Sequence, residues 1–384
     1  MTKSLDMAGI YFHIPFCRQR CHYCDFYTTT QLNKKQELIL ALQKELLLRK
    51  SELAHDEIQT IYFGGGTPSL LNKNEICLFI ESVKEHFQVS KNAEITLEAN
   101  PDDLTTIYLN ELASSPVNRL SVGIQSFHDA DLKLTNRRHS AEQALQCIKM
   151  AQEKGFHNIS IDLIYGLPNS SLEKWNQNLE ITKDLHVQHL SAYHLTYEKG
   201  TVFDIWNQKK KIIPISDEES ILQFQTLVEW AVKNNFIHYE ISNFAVPDYL
   251  SQHNTSYWQQ KKYMGLGPSA HSYNRDSRSW NVSNLPQYLA ALSKDELPSE
   301  CEWLTETDKF NDFIITSLRT RWGISLEKVQ QQFGTDVRES LVSKVRPFID
   351  NKKIYEKDGC LVLTNEGVFL SDMILAELIK IEDD

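Results

Sequence analysis

The chain has 384 residues, 41% hydrophobic and 24% charged, a globular balance with room for one large domain and a smaller one. A formal net charge of −11 argues against a nucleic-acid partner, because phosphate binding needs a basic face. No apolar run approaches the ~18 residues needed to span a bilayer, and the start, MTKSLDMAGIYF, lacks a leader's apolar core. A cytoplasmic location is expected, with peripheral contact at the inner face of a membrane left open.

Taken in chain order, a strand-then-helix alternation recurs. Runs rich in β-branched and aromatic residues lie at 9–14 (GIYFHI), 58–63 (IQTIYF), 93–98 (AEITLE), 119–125 (RLSVGIQ), 159–164 (ISIDLI) and 189–195 (HLSAYHL). After the first, residues 34–50 carry Leu38, Ile39, Leu42 and Leu46 at helical spacing. Helical patterns follow at 75–87, 105–113, 141–153 and 172–185. This rhythm predicts an α/β fold with a parallel sheet, a partial (β/α)6 barrel over 1–200.

Beyond Tyr197 the rhythm changes. A helix is expected at 217–234, then YEISNFA at 239–245, a turn-rich stretch to Tyr273 and a proline-containing break at 297–299; residues 201–300 read as an extension of the barrel. From 305 the pattern is a helix to 320, helical stretches through Ile349, a hairpin pairing 353–355 with 361–363, and a last helix from Glu366. Residues 301–384 are therefore expected to form a small winged-helix-like domain. Its acidic setting favours packing or partner docking over DNA binding.

Three of the seven cysteines, Cys17, Cys21 and Cys24, form a C-x3-C-x2-C cluster. Cys77, Cys147, Cys301 and Cys360 are scattered and expected to be buried or inert. A zinc site would recruit His13 or His22 as its fourth ligand. CHYC is followed by Asp25, which excludes a c-type haem attachment motif. The remaining option is an iron–sulfur cluster with one iron left open for a small ligand.

Sites of parallel α/β barrels gather at the carboxyl ends of the strands. The cysteine trio follows the first expected strand and GGGTP (64–68) the second; Glu98 to Pro101 ends the third and Gln125 the fourth. Asp162 lies in the fifth, and His194 and Thr196 end the sixth. The glycines allow close approach of backbone to a ligand, and Pro68 restricts Thr67 to an extended conformation. The run lacks a P-loop lysine and the spacing of a dinucleotide fingerprint.

The stretches YFHIPFCRQRCHYCDF, YFGGGTPSLL, LEANP, RLSVGIQSF, IDLIYGLP and LSAYHLTYEKGTVF resemble the radical SAM superfamily. Within it they resemble the branch of anaerobic coproporphyrinogen III oxidase and its HemW-type relatives. The resemblance implies a [4Fe-4S] cluster held by Cys17, Cys21 and Cys24, whose fourth iron is chelated by S-adenosylmethionine (SAM). It assigns SAM contacts to Tyr11, Gly65, Gly66, Thr67, Glu98, Gln125, Arg137 and Asp162, and an aromatic position in the cluster loop to Tyr23. Carboxylates suit ribose hydroxyls and an amino group, and arginine suits a carboxylate. Arg137, in NRRH, also reads as a surface charge, and Asp162 as a strand-end cap.

The oxidases of this branch carry a further cysteine two residues after the trio, where this chain has Phe26, and a longer extension before the first strand. Residues 253–258, HNTSYW, resemble the haem-binding motif of the HemW group. That resemblance implies a haem chaperone passing haem to acceptor haemoproteins, with His253 as iron ligand and Asn254, Tyr257 and Trp258 beside the porphyrin. The same residues also read as a structural turn with an aromatic pair. His271, in YMGLGPSAHSY, is a second haem candidate. Oxygen-independent coproporphyrinogen III oxidase and a zinc-stapled barrel are the alternatives.

Overall fold

The computed structural model describes residues 6–380. Six strands, β1 (Asp6–Ile14), β2 (Asp56–Gly65), β3 (Gln88–Ala99), β4 (Arg119–Gln125), β5 (Ile159–Tyr165) and β6 (His189–His194), lie side by side in chain order, all parallel. Helices α1 (Lys35–Leu48), α2 (Lys73–His86), α3 (Thr106–Leu112), α4 (Asp129–Leu134), α5 (Ala141–Glu153) and α6 (Leu172–Asp184) connect them. Helix starts follow side-chain chemistry. Asn72 with Glu75 and Ser140 with Gln143 close capping boxes at α2 and α5.

Side chains alternate along each strand. One set (Ile10, Phe12, Ile14, Ile61, Phe63, Leu97, Val122, Ile161) is buried against the helices, with Phe12, Phe63 and Phe79 in ring contact. The other set is polar and also largely enclosed: Thr60, Glu94, Thr96, Arg119, Ser121, Ser160, His189 and Ser191. Buried polar groups are costly without partners, and many of these are paired within the protein, Ser160 with His189 and Ser121 with Asp162 among them.

Helices α7 (Val202–Gln208) and α8 (Asp217–Lys233) lead to the hairpin β7 (Ile237–Glu240) and β8 (Asn243–Ala245), and β8 pairs antiparallel with β6. The stretch to Tyr273, expected as turns, instead holds helix α9 (Gln252–Trp258) and strands β9 (Lys262–Leu266) and β10 (His271–Tyr273). Strand β9 pairs parallel with β1 on its free side. Glycine punctuation hid it. A Cβ on Gly265 would stand 2.0 Å from the His271 carbonyl oxygen, so the glycine serves close strand contact there and not a turn. Strands β11 (Ser277–Asn281) and β12 (Ser299–Trp303), with α10 (Leu285–Ser293) between them, complete an open twelve-stranded sheet ending at β12 and β7.

The C-terminal region has its own core of Phe310, Phe313, Ile314, Val329, Val345, Ile354 and Ile374. It comprises α11 (Glu306–Leu318), β13 (Ile324–Ser325), α12 (Leu326–Phe333), α13 (Thr335–Asp350), β14 (Ile354–Lys357), β15 (Cys360–Leu363), α14 (Asn365–Phe369) and α15 (Ser371–Leu378). The last expected helix is thus two, meeting at Leu370. Its strands form a small sheet in the order β13-β15-β14. It docks on the large sheet's edge, where the Arg321 N–H donates to the Tyr239 carbonyl at 3.1 Å and Phe369 meets Phe224 edge-on at 4.7 Å. Of the scattered cysteines, Cys147 is buried as expected, whereas Cys301 is exposed on β12. Among the described residues no helix is long and apolar enough to cross a membrane.

Candidate functional site

A cavity of about 400 Å³ opens at the carboxyl ends of the parallel strands, within the size range of small-ligand sites. Cys17, Cys21, Tyr23, Cys24, Gly65, Gly66, Thr67, Glu98, Gln125, Arg137 and Asp162 all line it, so eleven residues spread over 146 positions of chain meet there. Tyr11 does not line it. Its hydroxyl is 3.2 Å from His13 Nδ1 and its ring lies along Tyr62, placing it beneath the cavity.

The cysteine loop is held from two sides. The Cys17 N–H donates to the Thr29 carbonyl at 2.9 Å, and Thr29 N–H returns to the Pro15 carbonyl at 2.8 Å. From the loop after α4, Asn136 Nδ2 donates to the Arg20 carbonyl at 2.8 Å, and Gln19 reaches Asn136 Oδ1 at 2.7 Å. The glycine turn packs directly under this loop. A Cβ on Gly66 would lie 2.8 Å from the Pro15 and Phe16 backbone, and one on Gly65, whose φ is +109°, would strike the His13 ring. The turn therefore needs glycine first to seat the cysteine loop, and its Gly66 N–H donates to the Ile14 carbonyl at 2.8 Å.

The polar floor is cross-linked. Thr67 Oγ1 sits 3.5 Å from Cys17 Sγ and accepts from Asn100 Nδ2 at 3.2 Å. Arg137 is a wedge, not a surface charge. It contacts Cys21 Sγ at 3.5 Å, donates to Asn100 Oδ1 at 2.6 Å and donates to the Gly123 carbonyl. Gln125 takes a left-handed φ of +69° at a register shift between β4 and β5, which turns its chain off the ladder. Glu98 accepts from Tyr62 Oη at 2.8 Å and from the Gly65 N–H at 3.1 Å. Burial pushes Glu98 up to about 7 and Asp162 up to about 6, the Tyr62 and Ser191 hydroxyls pulling back against it.

Neither histidine considered for zinc joins the thiols. His13 bonds Tyr11 Oη and, at 3.0 Å, the Tyr27 carbonyl, and His22 Nδ1 bonds the Leu134 carbonyl at 2.9 Å. Among the described residues no three His, Cys, Asp or Glu side chains converge on a point where one metal ion would sit.

The HNTSYW segment lies at the opposite end. Helix α9 enters the sheet's inner face near the amino ends of β1 and β2, its first N–H groups (Gln252 and His253) donating to Glu94 at 3.1 and 3.0 Å. His253 is 1% exposed. Its Nδ1 bonds Thr60 Oγ1 and its Nε2 bonds Tyr257 Oη, each at 2.7 Å. The ring lies along Tyr62, centroids 4.8 Å apart. Both ring nitrogens of His253, the residue expected to ligate haem iron, are thus hydrogen-bonded inside the protein in this conformation. Asn254, Tyr257 and Trp258 are half-buried on the same short helix. His271 is exposed on β10, beside Trp280.

Residues 11–180 match the radical SAM superfamily and residues 304–370 match the HemN C-terminal domain. The heme chaperone HemW of Lactococcus lactis is 30% identical over 370 residues, covering 96% of each chain. The chain belongs to the HemW family of radical SAM proteins. The HemW of Mycobacterium tuberculosis is 31% identical over 376 residues, covering 97% of this chain and 94% of its own. The fold is that of the solved coproporphyrinogen III oxidase (HemN) of Escherichia coli, a radical SAM enzyme, with a TM-score of 0.84 and 24% identity over 98% of this chain and 91% of that one.

Membership of the radical SAM superfamily implies a [4Fe-4S] cluster and SAM, and the residues present fit both. Three thiols stand on one loop at the cavity edge, with a glycine turn, two half-buried carboxylates and a wedged guanidinium around the adjoining space. The cluster, when bound, supplies an open iron for SAM and the capacity for one-electron chemistry. Burial pushes the free Cys24 thiol up to about 11, so cluster assembly displaces protons. Asn100 and Tyr62 were not singled out from sequence. Asn100 is marked only by its place two residues after Glu98, and Tyr62 only by the inward phase it shares with Thr60 and Gly64.

Proposed function

We propose that the chain binds haem and passes it to acceptor haemoproteins, on a core that holds a [4Fe-4S] cluster and SAM. The observation that carries this reading is kinship along the whole length with proteins named as heme chaperones. Position 26 supports it over the oxidase alternative. The residue where the oxidases have a further cysteine is Phe26, 65% exposed at the cavity edge.

Because His253 is enclosed, the proposal puts haem at the cavity mouth. His194 is the histidine that lines the cavity, and Tyr193 beside it is 44% exposed. With Phe26 and Arg20 on the same rim, a porphyrin is offered flat apolar faces, an imidazole and a cation for a propionate. The same proposal includes a cytoplasmic location, delivery to acceptors at the membrane face and division of labour among residues 1–200, 201–300 and 301–384. In it the last segment docks partners and no nucleic acid is involved.

Haem titration followed by Soret absorbance tests this reading, with transfer to an apo-haemoprotein as the second stage. Saturable one-to-one binding is expected, weakened about tenfold in His194→Ala, the scale of one lost ligand contact. Absence of saturable binding overturns it. So does anaerobic conversion of coproporphyrinogen III to protoporphyrinogen with SAM and reductant, which would favour the oxidase.

A further inference from the structure

Tyr62 touches both ends of the sheet's interior. Its hydroxyl donates to Glu98 in the cofactor cavity at 2.8 Å, and its ring rests on His253 of helix α9. We infer that His253 is a positioning residue for the cofactor cavity, holding the Tyr62 ring so that its hydroxyl stays on Glu98. The inference rests on the SAM reading of that cavity and is independent of haem transfer.

Strand β2 fixes the Tyr62 Cα, but the reach of its hydroxyl depends on what braces the ring. Two rings do so: Tyr11, at 6.0 Å and 28°, and His253, at 4.8 Å and 23°. His253 is the better anchored, held at Nδ1 by Thr60, at Nε2 by Tyr257 and at its backbone N–H by Glu94. It also lies over Gly9, where any Cβ would stand 3.2 Å from its Nδ1 and 2.7 Å from Thr60 Oγ1. Burial holds the imidazole down near 3, so it is neutral and acts as a strut, not as a charge.

The hydroxyl it positions matters because of where Glu98 sits. A carboxylate beside a cationic ligand is useful only when ionised, and burial opposes ionisation. The Tyr62 hydrogen bond favours the charged form, as do the Gly65 N–H and Arg119. Asp162, Tyr11, Tyr193 and Tyr257 are the other titratable groups that interact with Glu98, and each, once charged, opposes its charge.

The test is calorimetric SAM binding to anaerobically reconstituted protein between pH 6 and 8.5. Tyr62→Phe removes only a hydroxyl. It is expected to weaken SAM binding about tenfold near pH 7, the scale of one charge-assisted hydrogen bond. The midpoint of the pH dependence should also move upward by about one unit. His253→Ala is expected to shift the same midpoint in the same direction, and His253→Gln, which keeps a hydrogen-bonding side chain, to restore part of it. Loss of packing alone would lower affinity without moving the midpoint, so an unmoved midpoint in His253→Ala overturns the inference. So does wild-type affinity and pH profile in Tyr62→Phe. Failure of the unaltered protein to bind SAM would remove the cofactor reading together with it.

Discussion

The two ends of the sheet's polar inner face are built differently. The carboxyl end is open. Its polar groups converge on a cavity, and two carboxyls there sit well above their ordinary range. The amino end is closed by α9, and His253 and His189 each have both ring nitrogens bonded to neighbouring hydroxyls. Histidine alone therefore does not mark a ligand site. His253 and His189 spend both nitrogens within the protein in this conformation, whereas His194, with one bond to Ser220 Oγ at 2.9 Å and its ring on the cavity wall, has capacity left.

Four sets of substitutions would break or sharpen this contrast, and the largest effect belongs to the cysteine loop. Replacing any one of Cys17, Cys21 or Cys24 by Ala is expected to abolish cluster retention, read as loss of iron, sulfide and visible absorbance after anaerobic reconstitution. Full iron and sulfide content in all three variants would disprove the cluster assignment. Next is the plug. His253→Ala opens a hole in the inner face and strands two hydroxyls, and a loss of about 2–4 kcal/mol in denaturant unfolding is expected. An effect under about 0.5 kcal/mol would show that α9 is not the closure described.

Arg137→Lys keeps the charge but loses the fork that spans Cys21, Asn100 and Gly123. SAM affinity should fall about tenfold to a hundredfold, with a smaller change in stability; unchanged affinity would remove Arg137 from the site. The smallest effect is the pH response. The native chain holds protons on Glu98 and Asp162 that the unfolded chain releases at its lower, ordinary values of 4.5 and 3.8. Their contribution is thus fully present below about pH 4 and is lost as the pH rises through 6 to 7. Glu98→Gln should remove its share of that decline, read as a shallower fall of unfolding free energy between about pH 4 and 7 in the cofactor-free protein. An unchanged slope would mean that Glu98 ionises as it does in the unfolded chain.

The six parallel strands were legible because each carries a short β-rich run between turn and helix signals, and pairing in chain order needs no further information. The cysteine spacing and the glycine turn were legible for a related reason: both are local devices whose chemistry is complete within a few residues. Strand β9 was not, since five residues with glycine inside become a strand only when β1 offers an unpaired edge. Likewise Arg137 reads as one of several surface charges until Gly123 and Asn100 are brought beside it.

By itself the sequence determined the α/β rhythm, the three thiols and the turn that seats them, because these depend on periodicity and on neighbours in the chain. It also determined that position 26 is Phe and not Cys. Only the tertiary structure decided which end of the sheet each polar group faces. HNTSYW is the same six residues either way, and its histidine became a strut under Tyr62 because α9 packs inward on β1 and β2, where Thr60 and Tyr257 take up both ring nitrogens. That outcome depends on contacts made across nearly two hundred residues of chain, which no local pattern encodes.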